Sequence, residues 1–277
     1  MIPNVLSIAG SDPSGGAGIQ ADLKAISARG CYAMAALTAL TAQNTTGVTG
    51  VHLVPPAFVA DQIATVFADV RVDAVKIGMI ATAEIAEAVS RALAPHRGIP
   101  VVLDPVMIAK GGAALLDPNA VEALTRHLLP LATHLTPNLP EGAALLGASP
   151  ATTRAAMEDQ ATALRAFGPR TVLLKGGHLP GDQSPDLLVS DHGLRWFEAA
   201  RIPTANTHGT GCTLSSALAA ELAMGASDPE AVRTAKSYVT GAVARAGELS
   251  VGHGHGPTHH FHAYWPPAAT YPERTQG

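Results

Sequence analysis

The chain has 277 residues, 47% of them hydrophobic and 14% charged, which is enough for one large α/β domain or two modest ones with a sizeable core. Its formal net charge is −4 with no basic stripe, which removes the electrostatic case for a nucleic-acid partner, and no apolar run is long enough to predict a membrane span. Two cysteines, Cys31 and Cys212, are too few for a disulfide framework and wrongly spaced for zinc, so a reducing, cytoplasmic setting is expected.

In chain order, residues 5–9 predict a buried strand with no basic leader ahead of it, then a Gly-rich turn and a helix over 19–28. Residues 74–79 predict a strand followed by a helix over 82–94. Residues 101–106 predict another, with a helix after Asp117-Pro118. Strands at 134–137 and 171–174 flank a helix over 139–146. Short apolar strands between amphipathic helices imply βαβ units, hence an α/β fold of three layers, α/β/α, with a mostly parallel sheet covered on both faces. Residues 187–189 and 194–197 flank Ser190-Asp191-His192-Gly193 and predict an antiparallel hairpin at one edge. Helices follow over 210–224 and 229–246, the second with Asp228 as N-cap and Pro229 at the first helical position. No internal repeat or polar linker divides the chain, so one domain over 1–265 is expected, with 266–277 a loose Pro-rich tail.

In such sheets ligands bind beyond the carboxyl ends of the strands. Gly10-Ser11-Asp12-Pro13-Ser14-Gly15-Gly16-Ala17-Gly18 follows a strand and opens a helix, where backbone amides can cradle a ligand. It fits neither the phosphate-loop pattern, having Gly16 where lysine would be needed, nor the dinucleotide spacing, and a plain tight turn would use the same glycines. Asn206-Thr207-His208-Gly209-Thr210-Gly211-Cys212-Thr213 precedes another helix. Its glycines allow converging amides, and with the helix dipole they make an anion hole for a transferred phosphoryl group. Cys212 falls in the first turn, where a thiol's pKa is expected to be lowered, although it would serve equally as a small packing residue. Asp104 and Glu141, at or after strand ends, suit magnesium, and Lys175 could meet nucleotide phosphates. Each alone reads as well as a cap or ion-pair partner; their shared edge of the sheet carries the argument. His253, His255, His259, His260 and His262 resemble a metal tract but lack a helical face, which favours an incidental role.

Five segments then carry a family resemblance: residues 9–22, Thr41-Ala42-Gln43-Asn44-Thr45, Val75-Lys76-Ile77-Gly78-Met79, Thr136-Pro137-Asn138-Leu139-Pro140-Glu141, and Asn206 to Cys212. The chain resembles the hydroxymethylpyrimidine/phosphomethylpyrimidine kinases of thiamine biosynthesis, a branch of the ribokinase-like superfamily. Cysteine at 212, where most ribokinase-like enzymes place an aspartate base, looks like this branch and some related pyridoxal kinases. The resemblance implies ATP and Mg2+, and a pyrimidine alcohol phosphorylated first to its monophosphate and then to the diphosphate. It implies that Gln43 and Asp22 hydrogen-bond the aminopyrimidine, that Met79 packs on the ring with Gly10 beside it, and that Cys212 meets the hydroxyl. Gly209 and Gly211 would serve the transferred phosphate. Asp104 and Glu141 would serve the metal. Lys175, Asn206, Thr207 and Thr210 would serve the nucleotide, and Lys236 the substrate phosphate in the second step. A pyridoxal kinase of the same fold, a non-catalytic pyrimidine-binding protein and a metal regulator using the C-terminal histidines are the competing readings. A homodimer is the expected assembly.

Overall fold

A computed structural model describes residues 1–107 and 118–267 of the chain. The predicted tail therefore lies almost wholly outside the described residues, as does the expected helix start at Asp117. The first half runs β1 (Asn4–Ser11), α1 (Gly18–Ala28), β2 (Tyr32–Asn44), β3 (Gly47–Leu53), α2 (Pro56–Asp69), β4 (Ala74–Ile77), α3 (Ala83–Leu93) and β5 (Val101–Leu103). The second runs α4 (Pro118–Ala123), β6 (His134–Leu135), α5 (Leu139–Leu146), α6 (Arg154–Arg165), β7 (Thr171–Lys175), β8 (Asp186–Ser190), β9 (Gly193–Phe197), α7 (Thr210–Ala223) and α8 (Asp228–Ala244).

The strands form one sheet in the order β3-β2-β1-β4-β5-β6-β7-β8-β9. From β2 to β7 the neighbours are parallel, while β3, β8 and β9 add antiparallel pairs at the two edges. Helices cover both faces, as a continuously apolar strand such as β5, buried at every position, requires. On one face Val59, Ile63, Ile85, Val89, Met157 and Leu164 of α2, α3 and α6 pack on Leu6, Ile8, Val75 and Ile77. On the other, α1, α7 and α8 pack on Val5, Val102 and Leu173. The three-layer α/β/α arrangement is thus the one expected.

The long hairpin β2–β3 and the helices α2 and α6 were not expected, and the predicted third strand stops at Leu103 rather than 106. The cap of α8 is Ser227, not Asp228: Glu230 accepts from the Ser227 amide and hydroxyl, at 3.3 and 2.5 Å. Asp228 instead accepts from Thr171 Oγ1 at 2.7 Å and lies 3.1 Å from His134 Nε2, fastening α8 to β6 and β7. His259 and His260 are buried packing residues, and Tyr238 donates to the His260 carbonyl at 2.7 Å.

Candidate active site

Between Ala9 and Ser11 the β1–β2 register slips, so β1 ends in a bulge that turns the chain outward at the carboxyl edge of the sheet. There a cavity of about 820 Å³ opens, running from Gln43 and Met79 on the β2–β4 side to Ala200, Lys236 and Val243 on the β8 side.

Two loops from opposite halves of the chain form its wall. Gly209, at φ +74°, stands ahead of α7, and a Cβ there would lie 1.8 Å from the Gly16 carbonyl oxygen. A Cβ on Gly16 would in turn lie 2.3 Å from His208 Cδ2. Only glycine lets the backbones meet so closely, and the contact brings the N-termini of α1 and α7 to one cavity. Asp12 locks the junction. Its carboxylate accepts from Ser14 N at 2.9 Å, Ser14 Oγ at 2.7 Å and Ala17 N at 2.8 Å, and meets His208 Nε2 at 2.8 Å. Burial alone would raise the Asp12 pKa, but the hydrogen bonds outweigh it and hold the carboxyl below its ordinary value. Asp12 and His208 were both within quoted motifs yet given no role. Their partnership spans 196 residues, and no local pattern reveals it.

Gln43, Met79 and Gly10 share the β2–β4 end of the cavity. Thr38 Oγ1 donates to the Met79 carbonyl at 2.7 Å, and a Cβ on Gly10 would fall 2.3 Å from Met79 Cε, so the missing side chain makes room for the thioether. Asp22 is a correction. It is fully buried under the cavity, where Lys76 Nζ donates to both oxygens at 2.9 and 2.8 Å, Ser7 Oγ at 2.6 Å and Ser216 Oγ at 2.7 Å. With every lone pair engaged, it has none to offer a ring. Burial would lower the Lys76 pKa, but Asp22 prevails and raises it, so the pair is ionic.

Cys212 lines the cavity in the first turn of α7. The expected lowering of its pKa is not what the surroundings give. Burial pushes the thiol up to about 11, Asp22 and Asp104 push the same way, and the Lys76 ammonium and the Gly18 amide oppose them without prevailing. The helix terminus is one favourable influence among several unfavourable ones.

Asp104 and Lys175, at the ends of β5 and β7, meet Glu141 in the first turn of α5. Lys175 Nζ lies 2.8 Å from Asp104 Oδ1 and 3.9 Å from Glu141 Oε2. Burial raises the Glu141 pKa to about 7, with Asp104 adding to the rise and Lys175 opposing it. Glu141 also closes the capping box of α5, accepting from Asn138 N at 2.7 Å. Two adjacent buried carboxylates suit a divalent cation that takes its remaining ligands from phosphates and water. A Cβ on Gly211 would lie 3.3 Å from Lys175 Nζ, so the α7 terminus faces the same cluster.

Thr207 and Thr210 line the cavity, but Asn206 does not, and its assignment to the nucleotide is corrected. Its side chain turns away, Nδ2 to the Ala246 carbonyl at 3.5 Å and Oδ1 against Gly256. Lys236 lines the cavity on the β8 side, held by Asp186 Oδ2 at 2.6 Å and the Ser184 carbonyl at 2.8 Å.

A phosphomethylpyrimidine kinase family model matches residues 12–259. The hydroxymethylpyrimidine/phosphomethylpyrimidine kinase of Escherichia coli K12 is 54% identical over 262 residues, covering 95% of this chain and 98% of that one. A thiamine biosynthesis bifunctional protein of Geobacter sulfurreducens is 50% identical over 258 residues, covering 93% of this chain and 52% of its own length. Among solved structures, an ADP complex of Bacillus subtilis pyridoxal kinase superposes with a TM-score of 0.86 at 37% identity, covering 94% of this chain and 98% of that one.

Proposed function

The chain belongs to the phosphomethylpyrimidine kinase family, and from that premise we propose that it uses ATP to phosphorylate 4-amino-5-hydroxymethyl-2-methylpyrimidine to the monophosphate and then to the diphosphate, in thiamine biosynthesis. The observation that carries the reading is one cavity lined by Gln43 and Met79, by Cys212 with the Gly209 and Gly211 backbone, and by the Asp104–Glu141–Lys175 cluster. Recognition, transfer and phosphate neutralisation are thereby adjacent.

Gln43 offers a donor and an acceptor to the aminopyrimidine edge, and Met79 packs on the ring. In its thiolate form Cys212 takes up the proton of the hydroxymethyl group as that oxygen bonds to the γ-phosphorus of ATP and the bond from that phosphorus to the departing ADP breaks. Amides at the start of α7, among them Gly209 and Gly211, hold charge developing on the phosphoryl oxygens. Lys175 meets the ATP phosphates, with Thr207 and Thr210 beside them. Asp104 and Glu141 fit Mg2+, which when bound supplies neutralisation of phosphate charge. Lys236, paired with Asp186, is assigned to the phosphate of the second step.

Residues 1–265 are taken as one kinase domain, supported by the continuous sheet. The edge strand β3, with Val51 and Leu53 exposed, supports a homodimer. Two free cysteines and an ATP requirement favour the cytoplasm. Among the described residues, no helix is long and apolar enough to cross a membrane.

The likeness to a pyridoxal kinase structure keeps that vitamin as the second reading. A coupled ADP-release assay with each alcohol, with and without chelator, tests both. The expected result is Mg2+-dependent turnover with kcat/KM highest for the aminopyrimidine. Preference for pyridoxal overturns the first reading, and full activity in excess chelator overturns the metal assignment.

A further inference from the structure

Gln43 is the amide expected to read the substrate ring, and its two ends meet different neighbours. One end lies 3.4 Å from His208 Nε2, the other 3.2 Å from Thr41 Oγ1. Oxygen and nitrogen of such an amide exchange by a half-turn, so the hydrogen-bond network decides which is where.

His208 Nε2 sits 2.8 Å from Asp12 Oδ2, an oxygen that also accepts from Ala17 N at 2.8 Å. An ionised carboxylate only accepts, so Nε2 carries a hydrogen whether the ring is neutral or charged. With the amide nitrogen on that side, two donors would face each other. Thr41 Oγ1 donates to the Ser11 carbonyl at 2.8 Å, so its proton is spent and it is left an acceptor. With the amide oxygen on that side, two acceptors would face each other. A half-turn resolves both conflicts: oxygen towards His208, sharing the Nε2 hydrogen that points chiefly at Asp12, and amino group towards Thr41, in the chain Gln43 to Thr41 to Ser11.

We infer that Asp12, His208 and Thr41 are positioning residues that fix the direction of the Gln43 amide and so the donor–acceptor order this pocket accepts. The inference rests on the reading of Gln43 as the ring-recognising residue. A 4-aminopyrimidine presents a donor beside a ring-nitrogen acceptor, and the 4-oxo analogue presents the reverse order. A clamped amide matches one and opposes the other, whereas an amide free to turn serves both. His208 directly precedes Gly209, so the same lock joins recognition of the ring to the geometry of the anion hole.

Two measurements test this. In the free enzyme, nuclear Overhauser contacts of the Gln43 side-chain amino protons should reach the Thr41 methyl and not the His208 ring protons. The reverse pattern overturns the inference whatever the substrate proves to be. In kinetics, the ratio of kcat/KM for the 4-amino alcohol to that for its 4-oxo analogue should be large in the parent. It should fall at least about tenfold in Thr41→Val, which keeps shape but loses the acceptor, and in Asp12→Asn, which frees Nε2 to become an acceptor. Melting temperatures identify any variant that fails to fold, and the Overhauser experiment on the parent stands without them. A folded variant that keeps the parent's ratio, or a parent that does not discriminate, overturns the clamp. Absence of turnover with the 4-amino alcohol would instead count against the proposed function and leave the amide direction to be read by resonance.

Discussion

Cys212 illustrates how far a single residue's chemistry depends on neighbours remote in sequence. Its place at a helix start is visible in the motif, but the carboxylates that oppose its ionisation, Asp22 and Asp104, come from other elements. With the thiol near 11, its proton-accepting form is scarce at neutral pH, so turnover on the alcohol should climb with pH through the alkaline range. Cys212→Ser should lose that climb and lower turnover on the alcohol by about 10²-fold. The second step differs, because a phosphomonoester with a second pKa of about 6 is already an anion and needs no base. There the same substitution should cost less than about tenfold, within what altered packing at one contact explains. Separate pH–rate profiles for the two steps check this, and equal losses in both would reduce Cys212 to a positioning contact. The placement of Gln43, Met79 and Cys212 at the cavity was legible because each lies in a compact motif at a strand or helix end. Asp22 was misplaced because its partners Lys76 and Ser216 lie 54 and 194 residues away.

Elements were readable where burial imposes a mostly apolar run, as in β1, β4 and β7, and where a start signal is local, as in α5 with its Asn138 capping box. The hairpin β2–β3 was not. Tyr32-Ala33-Met34-Ala35-Ala36-Leu37-Thr38 mixes alanine with larger apolar residues on both faces, which blurs period-two alternation into a helix-like composition. Two predictions belong at this scale. Gly209→Ala would place a methyl 1.8 Å from the Gly16 carbonyl oxygen, in a left-handed conformation that alanine resists. The loops must part, and turnover should fall by about 10²-fold, the usual cost of one anion-hole donor. Turnover within twofold of the parent would show that the contact is dispensable. Asp228→Ala would leave His134 Nε2 and Thr171 Oγ1 without their acceptor beneath α8. Urea unfolding should report a loss of about 2–3 kcal/mol. An unchanged midpoint would show that the helix is anchored by its apolar face alone.

At the scale of the whole molecule, the stretch around Thr258 and His260 is fastened against α7 and α8. His260, buried beside Thr213 and Thr258, has its pKa lowered to about 3, with burial the chief cause and the Lys24 charge adding to it. In the unfolded chain a histidine takes its proton near pH 6.5, and in the folded chain it does so only near 3. The unfolded state therefore binds more protons between those values, and stability should fall as pH drops from about 6.5 towards 3, by an amount on the order of 3–5 kcal/mol for this residue. Denaturant titrations at stepped pH check the slope. A His260→Gln variant should be flatter over that window, and equal slopes would place the acid sensitivity elsewhere. The layered α/β architecture was legible as a whole because its signal is repeated along the chain, whereas the fastening of residues 256–260 depends on tertiary contacts alone.

The strand order also bears on how the protein is made. After β1, β2 and β3, each strand from β4 to β9 is laid beside its immediate predecessor or beside β1, so the sheet can extend outward as the polypeptide leaves the ribosome. The meeting of Gly16 with Gly209 is different, for it joins residues translated near the start to residues translated near the end. A nascent chain released before residue 209 holds the ring-facing half of the pocket without the α7 amides that would engage a phosphoryl group. On the proposed reading, such a chain lacks the phosphoryl-binding half of the site, which is complete only once α7 lies on the sheet.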